Sequence, residues 1–183
     1  MGCANDDFFL DADALAKTRE RARSGIQMPD QVKIERNAIL YRIGHSNKDI
    51  ETNLSSPWWM SDASFDYLRR QAGREADRQQ VGGVFQELFR NKLAVPHSFG
   101  LADMLVKVAV RQRLRAFSGR GGYIGDTQEG GEVVGWIGGF ELAQYFIPGL
   151  RLDKGGASPM AKSALEVLAY QPLQSFIQSR HGH

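Results

Sequence analysis

One cysteine, Cys3, stands alone in this sequence. That excludes an intrachain disulfide and any metal site built on several thiolates, and it fits a reducing compartment. Long hydrophobic runs are also missing. None approaches the ~20 residues of a membrane-spanning helix, and the longest, Met104 to Val110, is broken by Lys107. No membrane partner is expected. No charged start followed by an apolar stretch opens the chain, so no secretory signal is expected. The opening Met1-Gly2-Cys3 lacks the Ser or Thr at position 6 that myristoylation wants, and Asp6 stands there instead. Charge of one sign is scarce: 23 basic residues against 21 acidic ones leave a net charge of +2, which argues for no nucleic-acid partner. The histidines His45, His97, His181 and His183 have no helical ligand spacing, and neither HExxH nor CxxC occurs, so no metal is expected. A GxSxG nucleophile elbow is absent. Ser118-Gly119-Arg120-Gly121-Gly122 lacks the Lys-Ser/Thr of a P-loop.

What is present is ordinary globular material, 42% apolar and 24% charged, long enough at 183 residues for one domain with a real core. Asp11 can cap a helix over Ala14 to Ala22, ended by Gly25. Ala38 to Gly44 reads as a short strand carrying Arg42 among apolar residues. Residues 45–57 read as a polar loop, and Trp58-Trp59-Met60 as a second strand closing on Ser61-Asp62. A helix follows, with Phe65, Leu68 and Ala72 on one face, and Gly82-Gly83 is expected to end it. Val84, Phe85, Leu88 and Phe89 mark another helix before Pro96. A further helix is expected from Ser98, with Leu101, Met104, Leu105 and Val108 on one face. Leu114, Ala116 and Ser118 alternate as in a strand. The stretch 119–139 carries nine of the chain's 20 glycines, and it includes Tyr123 and a short strand at Val133-Val134. A last clear strand runs over 144–147. The pattern is α+β, with residues 1–30 as an N-terminal helical segment and 36–183 as the core.

Three short words fall in a telling order: "LYRI" at 40–43, "WWMS" at 58–61 and "QYFIPG" at 144–149. The order resembles the ADP-ribosyltransferase toxins and effectors of the arginine–serine–glutamate type. In that family an arginine on an early strand grips the NAD phosphates. A later strand ends in a serine motif, Ser-Thr-Ser in its fullest form. A final turn supplies Glu-x-Glu or Gln-x-Glu just before a strand reading much like Val-Leu-Phe-Pro. The resemblance implies a split β-sheet core, NAD as cofactor and transfer of ADP-ribose to a protein or nucleic acid. It also implies bacterial origin, an immunity or antitoxin partner, and a place in the cytoplasm or delivery into the cytoplasm of a target cell. It assigns Arg42 and Ser61 to NAD binding, and Glu141 with Gln144 to the catalytic turn; Trp59 and Tyr123 are further NAD-binding candidates as rings able to stack on nicotinamide or adenine, with Gly44 at the end of the Arg42 strand.

The sequence departs from the family pattern at two points. Gln144 occupies the place of the catalytic glutamate, with Glu141 three residues upstream, and Ser61 is followed by Asp62-Ala63. A carboxylate stabilises the oxocarbenium charge that develops when nicotinamide leaves ribose, and an amide supplies no such charge. Three explanations stay open: an inactivating glutamine at the catalytic position, use of Glu141, Glu129 or Glu132 instead, or a retained fold without activity. A rival of another class is a non-catalytic nucleic-acid- or protein-binding module. Its surface would be the arginine clusters Arg69, Arg70, Arg74, Arg78 and Arg111, Arg113, Arg115, Arg120, with Phe117 and Tyr123 between them. Each candidate also has a plain structural role: Ser61 as a helix cap, one of Trp58 and Trp59 as core, Arg42 as a paired or snorkelling side chain.

Overall fold

The computed structural model of the chain describes residues 2–75, 80–127, 133–136, 138, 142–152 and 155–179. Helix α1 (Ala12–Arg23) starts where the Asp11 side chain accepts the Ala14 N–H at 2.7 Å. Strands β1 (Asp30–Ile34) and β2 (Ile39–Gly44) follow, then a short helix α2 (Ile50–Leu54). Asp49 caps α2 inside a segment that reads as pure loop from turn chemistry. Strand β3 (Trp58–Ser61) leads directly into α3 (Asp62–Glu75), and α4 spans Val81–Leu93. Strands β4 (Met104–Val110), β5 (Leu114–Gly119), β6 (Ile124–Thr127), β7 (Val133–Trp136) and β8 (Gln144–Phe146) come next. Helix α5 (Pro159–Ala164), strand β9 (Leu165–Pro172) and helix α6 (Leu173–Ser179) complete the described chain.

Among the described residues the strands form one antiparallel seven-stranded sheet, ordered β1-β5-β8-β3-β2-β4-β9, and a separate β6-β7 hairpin. The α+β organisation expected from the sequence is therefore the one adopted. Two local expectations fail. The helix predicted from Ser98 is a 3₁₀ turn, His97–Phe99, followed by β4. Strand β4 lies between β2 and β9 with both faces covered, so its apolar run is nearly unbroken and mimics a helix face. Gly82-Gly83 lies in the first turn of α4 instead of ending a helix. A Cβ on Gly82 would meet Gln174 Cγ of α6 at 2.9 Å, so the small residue permits a close helix contact.

The sheet is covered on both faces. On one, Tyr41, Ile43, Met60 and Leu105 pack under α3, α4 and α6, with Phe65, Phe85 and Phe176 as the main helix-side aromatics. Further along the strands Ala22 of α1 and Ile26 just after it pack with Phe117 and Phe146. On the opposite face Leu40, Trp59, Val106, Val108, Leu114 and Ile147 form a second core beneath α5. Among the described residues no helix is long and apolar enough to cross a membrane.

Phe65 anchors the larger core. Its ring stacks on Tyr41 at 4.0 Å and tilts against Phe85 at 5.2 Å. Phe65→Ala is expected to lower unfolding stability by about 3–5 kcal/mol. Chemical denaturation checks this, and a loss below ~1 kcal/mol would refute the packing described.

Candidate active site

The three strands that carry the three sequence words are immediate neighbours, in the order β8-β3-β2. Met60 of β3 pairs with Gln144 of β8 on one side and Tyr41 of β2 on the other. The β2–β3 ladder contains only Leu40–Ser61 and Tyr41–Met60. Beyond that point the strands part. A cavity of about 560 Å³ lies there, between the end of α1 (Ser24, Gly25) and the end of α4 (Phe89, Leu93). Arg42, His45, Ser56, Trp58 and Gln144 also line it.

Arg42 occupies the parting of the strands. Its Nη1 donates to Ser56 Oγ and, at 3.3 Å, to the Trp58 carbonyl, an acceptor no longer served by a β2 partner. Its Nε is buried without a partner. Burial lowers the guanidinium's pKa to about 10, still far enough above neutrality to keep it charged. Both recorded acceptors are neutral, and no Asp or Glu is among the described residues lining the cavity. Arg42 as a whole is half-buried, with its guanidinium largely withdrawn from water. An uncompensated desolvated cation is costly, and a cavity beside it attracts an anion.

Gln144 is only 7% exposed, and its Nε2 donates to the Gly25 carbonyl at 2.6 Å. It therefore faces a covered cavity, not an open strand lip. The contact requires α1 to end close to the sheet. Gly25 allows this, since a Cβ there would lie 2.7 Å from the Trp58 ring.

Ser61 lies outside the cavity lining. Its Oγ accepts the Ser64 N–H and donates to Ser64 Oγ, both at 3.1 Å, and Ser64 Oγ donates to the Ala143 carbonyl at 3.1 Å. It caps the start of α3 and braces the backbone just before Gln144. Trp59 is the core member of the tryptophan pair, 2% exposed with its Nε1 donating to the Ser56 carbonyl. Trp58 is half-buried, meets Phe146 edge-on at 5.0 Å, and also borders the cavity. Gly44 ends β2 where Asn53 Oδ1 approaches too closely for any Cβ. Tyr123 is 68% exposed and is not among the residues lining the cavity, although its neighbour Ile124 is. Glu141, Glu129 and Glu132 lie outside the described residues.

Composition and spacing did not single out His45, Asn53 or Arg90. Asn53, 1% exposed, receives the His45 N–H on Oδ1 at 3.1 Å and returns a bond to the His45 carbonyl at 3.2 Å. Arg90 donates to the carbonyls of Pro96, Gly100 and Leu101, holding the 96–101 loop whose Phe99 borders the cavity. These partners lie six to eleven residues apart at irregular spacing, so no periodic pattern announces them.

The arginine clusters are largely neutralised. Arg69 and Arg70 pair with Asp66, Arg111 with Glu166, Arg113 with Glu35 and Arg115 with Asp6. Arg78 lies outside the described residues.

No family model and no curated protein matches the chain. Among solved structures it is similar to one described as "Rhs1-CT in complex with cognate immunity protein RhsI1". The two are 17% identical, with 81% of this chain and 82% of that one covered at a TM-score of 0.41. Superposition at that level assigns this chain neither an activity nor a partner.

Burial, with the positive charges of Arg42, Arg90 and Lys48, lowers the His45 pKa, and Asp103 opposes them. The folded chain therefore binds this proton more weakly than the unfolded chain. The stabilising contribution is whole above the ordinary value near 6.5 and is lost as pH falls through the lowered folded value. Between about pH 7 and pH 5 the wild-type melting temperature is expected to fall more steeply than that of His45→Gln. Parallel curves would refute this titration.

Proposed function

We propose that the chain is an NAD-binding mono-ADP-ribosyltransferase domain of the arginine–serine–glutamate type, a toxin or effector that modifies a macromolecule. The observation that carries the reading is the side-by-side placement of β8, β3 and β2 around a cavity that holds a half-buried cation and no described acid. Sequence order alone did not require the three words to be adjacent. In this reading the Arg42 guanidinium holds the NAD pyrophosphate, because a fork of N–H donors matches phosphate oxygens. Trp58 offers a ring face to the nicotinamide or adenine. Ser61 acts through Ser64 to position the turn before β8. Gln144, with Glu141 just upstream, stands where oxocarbenium charge develops. The same family resemblance carries the expectation of an immunity or antitoxin protein.

The binding-module rival is disfavoured by one structural fact: five arginines of its two clusters already have carboxylate partners.

Saturating NAD, at a hundredfold excess over its dissociation constant, is expected to stabilise the wild-type chain by ~2.7 kcal/mol. Arg42→Met keeps the apolar stem and removes the charge. It is expected to abolish that gain while the ligand-free variant stays folded. Undiminished NAD binding in the folded variant would remove Arg42 from the site.

Gln144→Glu is expected to raise NAD cleavage by about two orders of magnitude or more, since it places a charge where the transition state needs one. It also sets a carboxylate against the Gly25 carbonyl, so the gain is expected only where the new group ionises into the cavity. A folded, NAD-binding glutamate variant that leaves NAD intact would overturn the transferase assignment. Loss of wild-type cleavage in Glu141→Gln would name Glu141 as the working carboxylate.

A further inference from the structure

We propose that His45 is a second ligand-binding residue of the Arg42 cavity, donating from Nε2 to a phosphate oxygen of a pyrophosphate-bearing ligand. The inference rests on the proposed function for the identity of that ligand as NAD; the phosphate contact itself does not depend on it.

The tautomer follows from the backbone. Ala102 N–H donates to His45 Nδ1 at 3.1 Å, so Nδ1 carries the lone pair. A neutral imidazole then has its proton on Nε2. No partner for Nε2 is recorded among the described residues, and the His45 side chain lines the same cavity as Arg42. The residue is held at its backbone and the ring is seated from one side. Asn53 bonds both the N–H and the carbonyl of His45. Gly100, at φ +115°, lies flush against the ring: a Cβ there would be 2.7 Å from Cε1 and 2.8 Å from Nδ1. Such a seat presents one fixed donor. The charged groups acting on His45 are Arg42, Arg90 and Lys48 on the positive side and Asp103 on the negative. Asp103 is already engaged by the N–H and hydroxyl of Ser46, at 2.8 and 2.6 Å. The cavity thus combines a permanent cation, a neutral N–H donor and apolar and aromatic walls, with no acid among its described residues. That set matches a phosphoanhydride attached to a flat ring system, and it repels no part of one. A metal-bound phosphate fits poorly, because no three His, Cys, Asp or Glu side chains converge among the described residues.

Two amide substitutions separate the ring's two nitrogens. In His45→Asn the side-chain oxygen takes the place of Nδ1 and keeps the Ala102 contact, while the donor at Nε2 is lost. In His45→Gln the amide nitrogen takes the place of Nε2, while the Nδ1 acceptor is lost. Binding of inorganic pyrophosphate and of NAD is measured by calorimetry, and melting temperature without ligand is measured beside it. The expected pattern is a near-wild-type melting temperature in His45→Asn with pyrophosphate affinity reduced about ten- to a hundredfold, the range for a hydrogen bond to a charged group. His45→Gln is expected to melt lower yet bind within a few-fold of wild type. The opposite pattern, with affinity following melting temperature in both variants, would overturn the proposal and leave His45 as a loop support.

Failure of this inference and failure of the NAD reading are distinguishable. Weakened pyrophosphate binding in His45→Asn, with no NAD binding by the wild type, keeps His45 and removes NAD. Wild-type NAD binding that is equal in His45→Asn removes His45 and keeps NAD. No pyrophosphate binding by the wild type removes the proposal. If neither variant folds, the imidazole ¹⁵N shifts of wild-type His45 under pyrophosphate titration decide. Movement of the Nε2 signal supports the contact and a static signal overturns it.

Discussion

A half-buried guanidinium without a carboxylate is the constraint on which the centre of this structure depends. Arg42 begins on the side of the sheet shared with Val106 and reaches the place where β2 and β3 stop pairing. There it serves the Trp58 carbonyl and Ser56 Oγ. A strand pair that parts leaves backbone groups in need of partners, and buried backbone groups are rarely left without them. The arginine meets part of that need and opens the sheet at the same time. It is also a charge that desolvation alone makes expensive, held in place by neutral acceptors.

The walls of the cavity are built by side chains that reach backbone carbonyls across the fold. Gln144 ties the end of α1 to β8. Arg90 gathers three carbonyls of the loop that follows α4. Asn53 organises the turn after β2, and Ser64 holds the chain just before β8. Each is a polar group satisfied at a loop that regular structure does not serve. In the cavity itself the Arg42 Nε stays without a partner, as the Arg90 Nε of α4 does. Elsewhere Arg69 and Arg70 of α3 and Arg115 of β5 are matched with acids. At the parting of β2 and β3, Arg42 brings positive charge unmatched by a described acid to a cavity with largely apolar walls.

Much of the fold was legible in the sequence because its signals are local. Asp11 before an Ala-rich run, Trp58-Trp59-Met60 before Ser61-Asp62, and the alternation from Leu114 to Ser118 each encode one element through its nearest neighbours. The reading failed where an element's environment overrode its pattern. Strand β4 is buried on both faces, which erases the alternation that would have marked it. Gly82-Gly83, a breaker by propensity, lies in the first turn of α4, where Gly82 lets α6 pass close by. Helix α2 needs only Asp49 and a single turn, too short for periodicity to reveal.

For the site, the residue types were set by the sequence: an arginine within an apolar strand, a serine at a strand end, a glutamine before Tyr145-Phe146-Ile147. Those types and their order are properties of the chain alone. That β8, β3 and β2 are neighbours was decided by tertiary structure, because strand pairing joins segments more than eighty residues apart, such as Met60 and Gln144. The depth of Gln144, the division of roles between Trp58 and Trp59, and the entry of His45 into the Arg42 cavity were decided the same way. Burial and hydrogen-bond partnership are relations between distant residues, and one-dimensional spacing does not contain them.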